Sequence, residues 1–322
     1  MKYAELGLVN TNKMFQDAIA HNYAVPAFNF YNMETLQAIL DAAKSTHSPV
    51  ILAVSEAALK YMGDDMLIGL IRGANISPKD QIALHLDHGS SFESCVHAIK
   101  IGFSSVMIDA SKLSFKENTA ITRRVAKYAH KHNVSVEAEL GILSGTEDEN
   151  TKSKTSTYTN PTDAEKFVTA TNIDSLAIAI GTSHGAYKRK TPNEKLRFDI
   201  LADVASRLPD FPLVLHGASN IPQNLITTIN KFGGKISDAR GIDKKQLRRS
   251  TKMNICKINV DSDLRLAFNA ATRKTLFTKP GSFNPRDFLS AARQTMTKIC
   301  IDEIRNIMGS ENTIKKNKKS KN

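Results

Sequence analysis

The sequence is poor in the features that mark secreted and membrane-spanning proteins. It has only three cysteines in 322 residues, Cys95, Cys256 and Cys300, and no two of them form a C-x-x-C pair. No stretch approaches the roughly 18 uncharged apolar residues that a membrane span needs. Polar residues also interrupt the apolar ones near the N-terminus, which a signal-peptide core does not tolerate. We therefore expect a reduced, cytoplasmic protein with no membrane partner.

The sequence also has fewer acidic than basic residues: 32 Asp and Glu against 44 Lys and Arg, which gives a net charge of +12. The excess is local: residues 240–252 carry +5 and residues 309–322 carry +4, which leaves +3 over the rest of the chain. Residues 309–322 are predicted to form a lysine-rich, disordered tail. Such a tail is either a solubilising end or a weak contact for polyanions, and nucleic acid is not expected to be a partner beyond that contact.

Composition is otherwise globular, with 41% hydrophobic and 24% charged residues, and the chain alternates strand and helix patterns eight times. Eight β-then-α units predict an α/β protein with a closed parallel sheet, a (β/α)8 TIM barrel, and a doubly wound open sheet is the alternative. Residues 285–308 indicate extra C-terminal helix. No linker divides residues 1–308, so they are predicted to be a single catalytic domain. The strand candidates are Tyr23–Phe30, Val50–Ser55, Ile82–His88, Ser105–Ala110, Val134–Glu139, Ser175–Ile180, Leu213–His216 and Ile255–Asp261.

Two segments depart from this rhythm. Residues 144–160 are polar and longer than a barrel loop needs, which favours a mobile lid or a tolerated surface insertion. Residues 232–249 indicate a second loop, basic and containing glycine, before the eighth strand.

Polar side chains fall where the eight predicted strands end, and in a barrel the chemistry lies at those carboxyl ends. Among them are His88, His184 and His216, which follow three different strands. Three imidazoles can hold one divalent ion and leave a position open for substrate, as in catalytic zinc sites. His85 lies two residues before Asp87 and therefore on the same face of the strand. This position favours a supporting or packing role for His85 over direct metal ligation.

The remaining strand-end residues suit cations and anions. Glu137 and Glu139 point to the same face of their strand, and two carboxylates inside a barrel need a metal or hydrogen-bond donors. Glycines follow two of the histidines, in H-G-A-Y (184–187) and H-G-A-S (216–219). Such turns expose backbone N–H groups that suit an anion such as phosphate.

These motifs resemble the class II, metal-dependent fructose-bisphosphate aldolases, in particular their class IIB-like subgroup. The segment I-A-L-H-L-D-H-G (82–89) is similar to the first family signature, and V-E-A-E-L-G-I-L-S-G-T-E (136–147) to the second. Further similar blocks are A-I-G-T-S-H-G-A-Y-K (179–188), L-H-G-A-S-N-I-P (215–222) and K-I-N-V-D-S-D (257–263). The resemblance runs from about residue 13 to residue 308 and implies cytosolic glycolysis or gluconeogenesis.

The resemblance implies a role for each matching position. It makes His88, His184 and His216 the ligands of one catalytic Zn²⁺, with Glu139 an alternative ligand and Asp109 a neighbouring carboxylate. It also allows a second divalent ion and a monovalent cation. Asp87 would act as acid and base on the C4 hydroxyl, and Glu147 would move protons at the dihydroxyacetone-phosphate carbon. The implied substrate and phosphate contacts are Asn29, Ser55, Gly185, Lys188, Gly217, Ser219, Asn259, Asp261, Ser262, Arg265 and Arg286.

The activity so implied is reversible cleavage of fructose 1,6-bisphosphate to dihydroxyacetone phosphate and glyceraldehyde 3-phosphate through a metal-stabilised enediolate. Arg286 would reach a phosphate from a neighbouring subunit, which implies a homodimer or homotetramer. Asn284 stands where fructose-bisphosphate enzymes of this subgroup carry Asp, and Ser144 where the family usually has Gly. A tagatose-1,6-bisphosphate aldolase is therefore the alternative within the lyases. A metal-dependent hydrolase is the alternative from another class, although its barrels typically carry H-x-H where this chain has H-x-D-H.

Overall fold

Eight parallel strands close into a barrel in the computed structural model, which describes residues 1–147, 151–153, 156–185 and 195–314. Around the barrel the order is β1-β11-β10-β8-β5-β4-β3-β2, so the first strand pairs with the last. The predicted (β/α)8 barrel is confirmed, and the open sheet is wrong. The barrel strands are β1 (Val25–Asn29), β2 (Val50–Ser55), β3 (Ile82–Gly89), β4 (Ser105–Ile108), β5 (Ser135–Leu140), β8 (Ser175–Ile178), β10 (Leu213–Leu215) and β11 (Ile255–Val260).

Helices surround the strands, and polar caps start several of them. Ser91 and Ser114 each form a capping box, and the side chains of Asn32 and Asn160 accept a backbone N–H of the first turn, which satisfies donors that a helix start leaves open. No helix among the described ranges has the length and apolar character needed to cross a membrane. The helices are α1 (Asn12–His21), α2 (Met33–Thr46), α3 (Glu56–Met62), α4 (Asp64–Gly73), α5 (Phe92–Ile101), α6 (Phe115–His130), α7 (Pro161–Thr171), α8 (Phe198–Arg207), α9 (Gln223–Lys231), α10 (Lys244–Ser250), α11 (Ser262–Thr278) and α12 (Pro285–Glu303).

The strands sort their side chains between two environments. Residues of one parity, such as Phe28, Leu52 and Leu84, pack in the large core between barrel and helices. The other parity points into the barrel, where Val25, Ala27, Ile51 and Ala83 meet Met14 and Phe15 of α1. Helix α1 therefore closes the amino-terminal end of the barrel with apolar side chains. The polar residues of the same inward parity are consequently left for the other end.

Two segments hold more structure than the sequence pattern indicates. Within residues 144–160, β6 (Ser144–Glu147) pairs antiparallel with β7 (Thr151–Ser153) and parallel with β9 (Ser183–His184). These residues thus hold strands that the sequence pattern does not indicate, and their backbone is tied to a predicted metal ligand. Within residues 232–249, helix α10 begins at Lys244. The predicted helix over 285–308 is confirmed as α12 followed by a π-helical turn, Ile304–Met308.

The first residues of the predicted tail pack against the barrel. Ser310 is fully buried, and its hydroxyl lies 2.7 Å from that of Ser48. The backbone N–H of Asn312 donates to Thr46 at 2.8 Å, and Thr313 is buried. The boundary at residue 308 is therefore misplaced, because the ordered chain continues to Ile314. The expected disordered part, 315–322, lies outside the described residues.

Two truncations separate these parts of the C-terminus. Ending the chain at Met308 removes the contacts of Ser310, Asn312 and Thr313, each a hydrogen bond worth about 0.5–1.5 kcal/mol net. We expect a loss of about 2–3 kcal/mol in the free energy of unfolding, measured by urea denaturation. Ending the chain at Ile314 should leave that free energy unchanged. Equal stability of the two truncated chains would contradict the assignment.

Candidate metal and catalytic site

Three histidines from three parts of the barrel converge at its carboxyl end. One ligand-type nitrogen from each of His88, His184 and His216 lies within 4.8 Å of the others. Nε2 of His88 is 2.7 Å from Nδ1 of His216, and the ring of His184 stands edge-on to that of His88. His88 follows a break in the β3–β4 register and has φ 51°. That left-handed conformation costs a non-glycine residue about 1–2 kcal/mol, and such strain is typical of functional positions.

Carboxylates orient two of these rings. Oδ2 of Asp109 is 3.0 Å from Nδ1 of His88, and Oε1 of Glu137 is 2.6 Å from Nε2 of His216. In each case the nitrogen on the other side of the ring faces the shared centre. Burial lowers the pKa of His216 well below its usual value, and His88 and Lys257 lower it further. Neutral imidazoles held by carboxylates are the form in which histidine binds metals.

A second group of possible ligands overlaps the first. Ligand atoms of His88, Asp109 and Glu139 also lie within 4.8 Å of one another, and Oε2 of Glu139 is 3.8 Å from Nδ1 of His88. Burial opposes ionisation of Asp109, but the hydrogen bonds from His88 and Ser111 outweigh it and hold the pKa of Asp109 below its usual value. The predicted metal residues are thus all brought together, with Glu139 and Asp109 beside the histidines.

Beneath the histidines lies a buried ion pair that the sequence reading missed. Nζ of Lys257, which is fully buried, donates to both oxygens of Glu137 at 2.8 and 3.0 Å. The same Nζ is 3.3 Å from Nε2 of His85, whose Nδ1 meets the Ser105 hydroxyl at 2.8 Å. His85 therefore supports this network and is not among the grouped ligands. A lysine inside an otherwise apolar strand was the available signal for Lys257.

Asp87 is held by two amides. Nδ2 of Asn29 donates to one of its oxygens at 2.8 Å, and Nδ2 of Asn259 donates to the other at 2.9 Å. Burial acts to raise the pKa of Asp87, but the electrostatic influence of His88, His216 and Lys257, together with the hydrogen bond from Asn29, outweighs it and lowers that pKa. Oδ1 of Asn259 is buried with no hydrogen-bond partner among the described residues. A carboxylate so positioned is a candidate base, and the free amide oxygen faces a potential ligand.

Close backbone contacts shape the turn after β10. Gly217 has φ 58°, and a Cβ there would lie 2.6 Å from the carbonyl of Ser183. Only glycine allows these two turns to approach so closely. Ser219 is buried on the same turn. The predicted phosphate residues Gly217 and Ser219 therefore lie beside the strand that carries His184.

A pair of buried acids holds that turn in place. Asp263 in α11 accepts the backbone N–H groups of Asn220 and Ile221 at 2.8 and 2.7 Å. Ile221 has φ 56°, an outlier for a β-branched residue. Glu303 of α12 hydrogen-bonds to Asp263, and burial, followed by the charge of Asp263, raises the pKa of Glu303 well above its usual value. Glu303 thus bridges α12 to Asp263, next to the predicted site residues Asp261 and Ser262, and its raised pKa favours the protonated carboxyl.

Other predicted contacts line the mouth of the barrel. Ser55 caps α3 by accepting the N–H of Ala58 at 3.2 Å, which leaves its hydroxyl proton available. Arg265 donates to Asp261 at 2.9 Å, and its guanidinium lies 5.7 Å from the centre of the Tyr31 ring. Burial and the neighbouring Asp261 raise the pKa of Tyr31 to about 12.

The four remaining predicted residues are Arg286, Gly185, Glu147 and Lys188. Arg286 is exposed at the start of α12, where its backbone N–H donates to Asn284. Gly185 follows His184 with φ 81°. The backbone of Glu147 ends β6, but its side chain lies outside the described part of the chain, as does Lys188 altogether.

The chain is similar to known proteins over nearly its whole length. The family model for fructose-bisphosphate aldolase class II matches residues 9–313. A fructose-bisphosphate aldolase from Treponema pallidum is 46% identical, covering 96% of this chain and 98% of the relative, and one from Helicobacter pylori is 44% identical, covering 95% and 100%. Among solved structures, the YdjI aldolase from Escherichia coli K12 superposes with a TM-score of 0.75 at 26% identity, covering 95% of this chain and 99% of the other.

Replacing Lys257 tests the buried ion pair. Lys257→Met leaves the charge of Glu137 buried without its cation, which typically costs about 3–5 kcal/mol. We expect that loss in the free energy of unfolding measured by urea denaturation, and partial recovery in the Lys257→Met, Glu137→Gln double variant. Lys127→Met, at an exposed position of α6, is the matched control. A single variant as stable as the control would argue against the network.

Replacing Glu303 tests the protonated acid pair. Because the folded-state pKa of Glu303 is raised, folding retains a proton that the unfolded chain releases above its ordinary pKa of 4.5. Stability from this group is therefore full below pH 4.5 and is lost as pH rises through the raised pKa. Glu303→Gln keeps the donor without the charge. We expect the variant to gain stability relative to wild type, by on the order of 1 kcal/mol, as the pH is raised from about 4 through the raised pKa of Glu303 to alkaline values, with no such gain near pH 4.

Thermal unfolding across this pH range makes the comparison, with the exposed Glu93→Gln as the control. A difference between Glu303→Gln and wild type that stays constant with pH, or that grows on acidification, would contradict a protonated Glu303.

Proposed function

The chain belongs to the class II fructose-bisphosphate aldolase family, and on that premise we propose that it cleaves fructose 1,6-bisphosphate reversibly to dihydroxyacetone phosphate and glyceraldehyde 3-phosphate. The observation that carries the proposal is the position of Asp87. Its carboxylate is adjacent in sequence to His88, is ionised, and is held by the amides of Asn29 and Asn259. A base therefore lies beside a three-histidine centre. Cleavage of a bond next to a ketone needs a base to accept the hydroxyl proton and a cation to stabilise the resulting negative charge.

The donor set fits a divalent metal ion. Three imidazoles, two of them oriented by carboxylates, with an acidic side chain nearby, match the ligands that Zn²⁺ prefers in catalytic sites. We therefore assign His88, His184 and His216 as Zn²⁺ ligands and Glu139 as an alternative ligand. When bound, such an ion acts as a Lewis acid that stabilises negative charge beside the substrate ketone.

Asp87 takes the proton of the C4 hydroxyl as the C3–C4 bond breaks, and it returns that proton in the condensation direction. The two amide donors fix the orientation of the carboxylate, so that no rotation is needed before proton transfer. Asn259 has its Oδ1 free for the substrate hydroxyls near the carbonyl. Glu147, which β6 holds in register with His184 through Gly145, is proposed to move the proton at the dihydroxyacetone-phosphate carbon.

Phosphate binding supplies the remaining positioning. Gly217, Ser219, Asp261 and Ser262, with Gly185 and Lys188, are proposed to enclose one phosphate. Asn29 and Ser55 are proposed to contact the sugar end, and Arg265 to lie near the second phosphate. Arg286 is exposed. We propose that the protein is a homo-oligomer in which Arg286 contacts the second phosphate of the substrate bound to a neighbouring subunit. Binding energy from these remote groups helps to orient the reacting atoms.

Cleavage assays with chelation and an Asp87→Asn variant test the proposal. We expect metal-free protein to be inactive and zinc to restore activity. Asp87→Asn retains the shape but cannot accept the proton, so kcat should fall by roughly 10²–10⁴ at unchanged zinc content. Asp65→Asn, an exposed position of α4, should retain full activity.

Assaying fructose and tagatose 1,6-bisphosphate side by side decides the substrate. A preference for the tagatose compound would move the assignment to the alternative and would implicate Asn284, which caps α12 beside Arg286. Cleavage of neither substrate by the zinc-loaded protein would overturn the aldolase proposal.

A further inference from the structure

A basic cavity of about 310 Å³ lies at the opposite end of the barrel from the histidines. It is lined by Lys244, Lys245, Arg248, Arg249, Lys252 and Asn306. Helix α10, which supplies most of these residues, leads into the amino-terminal end of β11. Arg248 donates to the carbonyl of Asn22, shortly before β1. The cavity therefore lies at the amino-terminal face of the barrel, apart from the proposed catalytic site. Five of the six basic residues of segment 240–252 line it.

Arg248 is fixed in place by the surrounding backbone. Its Nη1 donates to Thr251 Oγ1 at 2.7 Å, to the Asn22 carbonyl at 3.0 Å and to the Met308 carbonyl at 3.2 Å. Gly309 makes room for the guanidinium, because a Cβ there would lie 2.5 Å from Cζ of Arg248. An arginine held this way loses little conformational entropy when it binds an anion with its remaining N–H groups.

The other cations of the cavity are only partly neutralised. Lys244 pairs with Asp302, which also accepts the side-chain amide of Asn306 at 2.7 Å. Arg249 lies with its guanidinium 4.1 Å from the centre of the Phe198 ring. Lys245, Arg249 and Lys252 are exposed and have no ion pair within the described ranges. Five cations facing one carboxylate repel one another, and an anion in the cavity would relieve that repulsion.

We propose that this cavity binds the polyphosphate group of a small molecule. Residues 244–252 span about 12 Å along α10 and its end, at about 1.5 Å per residue, which matches two or three linked phosphates. Arginine and lysine are the usual ligands of such groups. The volume is at the lower end of the range for small-molecule sites. The lining has no aromatic face on which a base of single-stranded nucleic acid could stack, since Arg249 covers Phe198.

The test compares binding of inorganic tripolyphosphate to wild type and to a Lys245→Gln, Arg249→Gln, Lys252→Gln triple variant by isothermal titration calorimetry. The control is Lys116→Gln, Lys127→Gln, Lys131→Gln, which removes the same charge from exposed positions on or next to α6. Because both variants keep the histidine site, binding there and metal chelation contribute equally to each titration. We expect affinity to fall about tenfold or more in the cavity variant and to stay near wild type in the control.

Further arms identify the source of the phosphates. A nucleoside triphosphate that binds as tightly as tripolyphosphate, while its monophosphate does not, supports recognition of the polyphosphate itself. Equal affinities of the two triple variants would overturn the proposal. So would preferential binding of single-stranded RNA that is lost when the five lysines of residues 315–321 are changed to Gln. Aldolase activity should be unchanged in both triple variants, so that failure here is distinguishable from failure of the proposed function.

Discussion

The buried ion pair between Lys257 and Glu137 connects the two halves of the barrel interior. Below it, apolar side chains meet α1, and above it the inward-facing positions are polar. A carboxylate in such a place is costly unless a cation and donors satisfy it. Lys257 supplies two hydrogen bonds to Glu137, which leaves Oε1 of Glu137 also able to fix His216. The orientation of one proposed metal ligand thus depends on a lysine that does not contact the metal centre.

Buried carboxylates also support the strained backbone and the close backbone contacts at the carboxyl end of the barrel. His88 and Ile221 adopt left-handed conformations, and Gly217 touches the backbone of Ser183. Such arrangements persist only where surrounding contacts determine them. Asp109 supplies that contact for His88, and the Asp263–Glu303 pair supplies it for the turn that follows His216. The site is therefore assembled by carboxylates placed behind the residues that would meet the substrate.

The sequence predicted the barrel because each strand is a compact apolar run, and eight repetitions leave few topologies. It predicted the histidines and Asp87 because polar residues at strand ends are conspicuous against those runs. Lys257, Asp263 and Glu303 were missed because their partners are 40 to 120 residues distant in the chain, the separation being shortest for Asp263 and Glu303 and longest for Glu137 and Lys257. No local pattern reveals a pairing of that range. The strands within residues 144–160 were missed because a polar segment nearly free of large apolar residues resembles a loop until a neighbouring strand pairs with it.

Strand β11 links the two ends of the molecule. At its amino-terminal end α10 presents the basic cavity, within it Lys257 supports Glu137, and at its carboxyl end Asn259 holds Asp87. Because the strand is paired on both sides with β1 and β10, it cannot slide without disrupting the closed barrel. An anion bound in the cavity would therefore stabilise the end of α10 without displacing the catalytic groups. The two proposed anion sites, one at each end of this strand, can in this way be occupied independently, because the rigid barrel separates them.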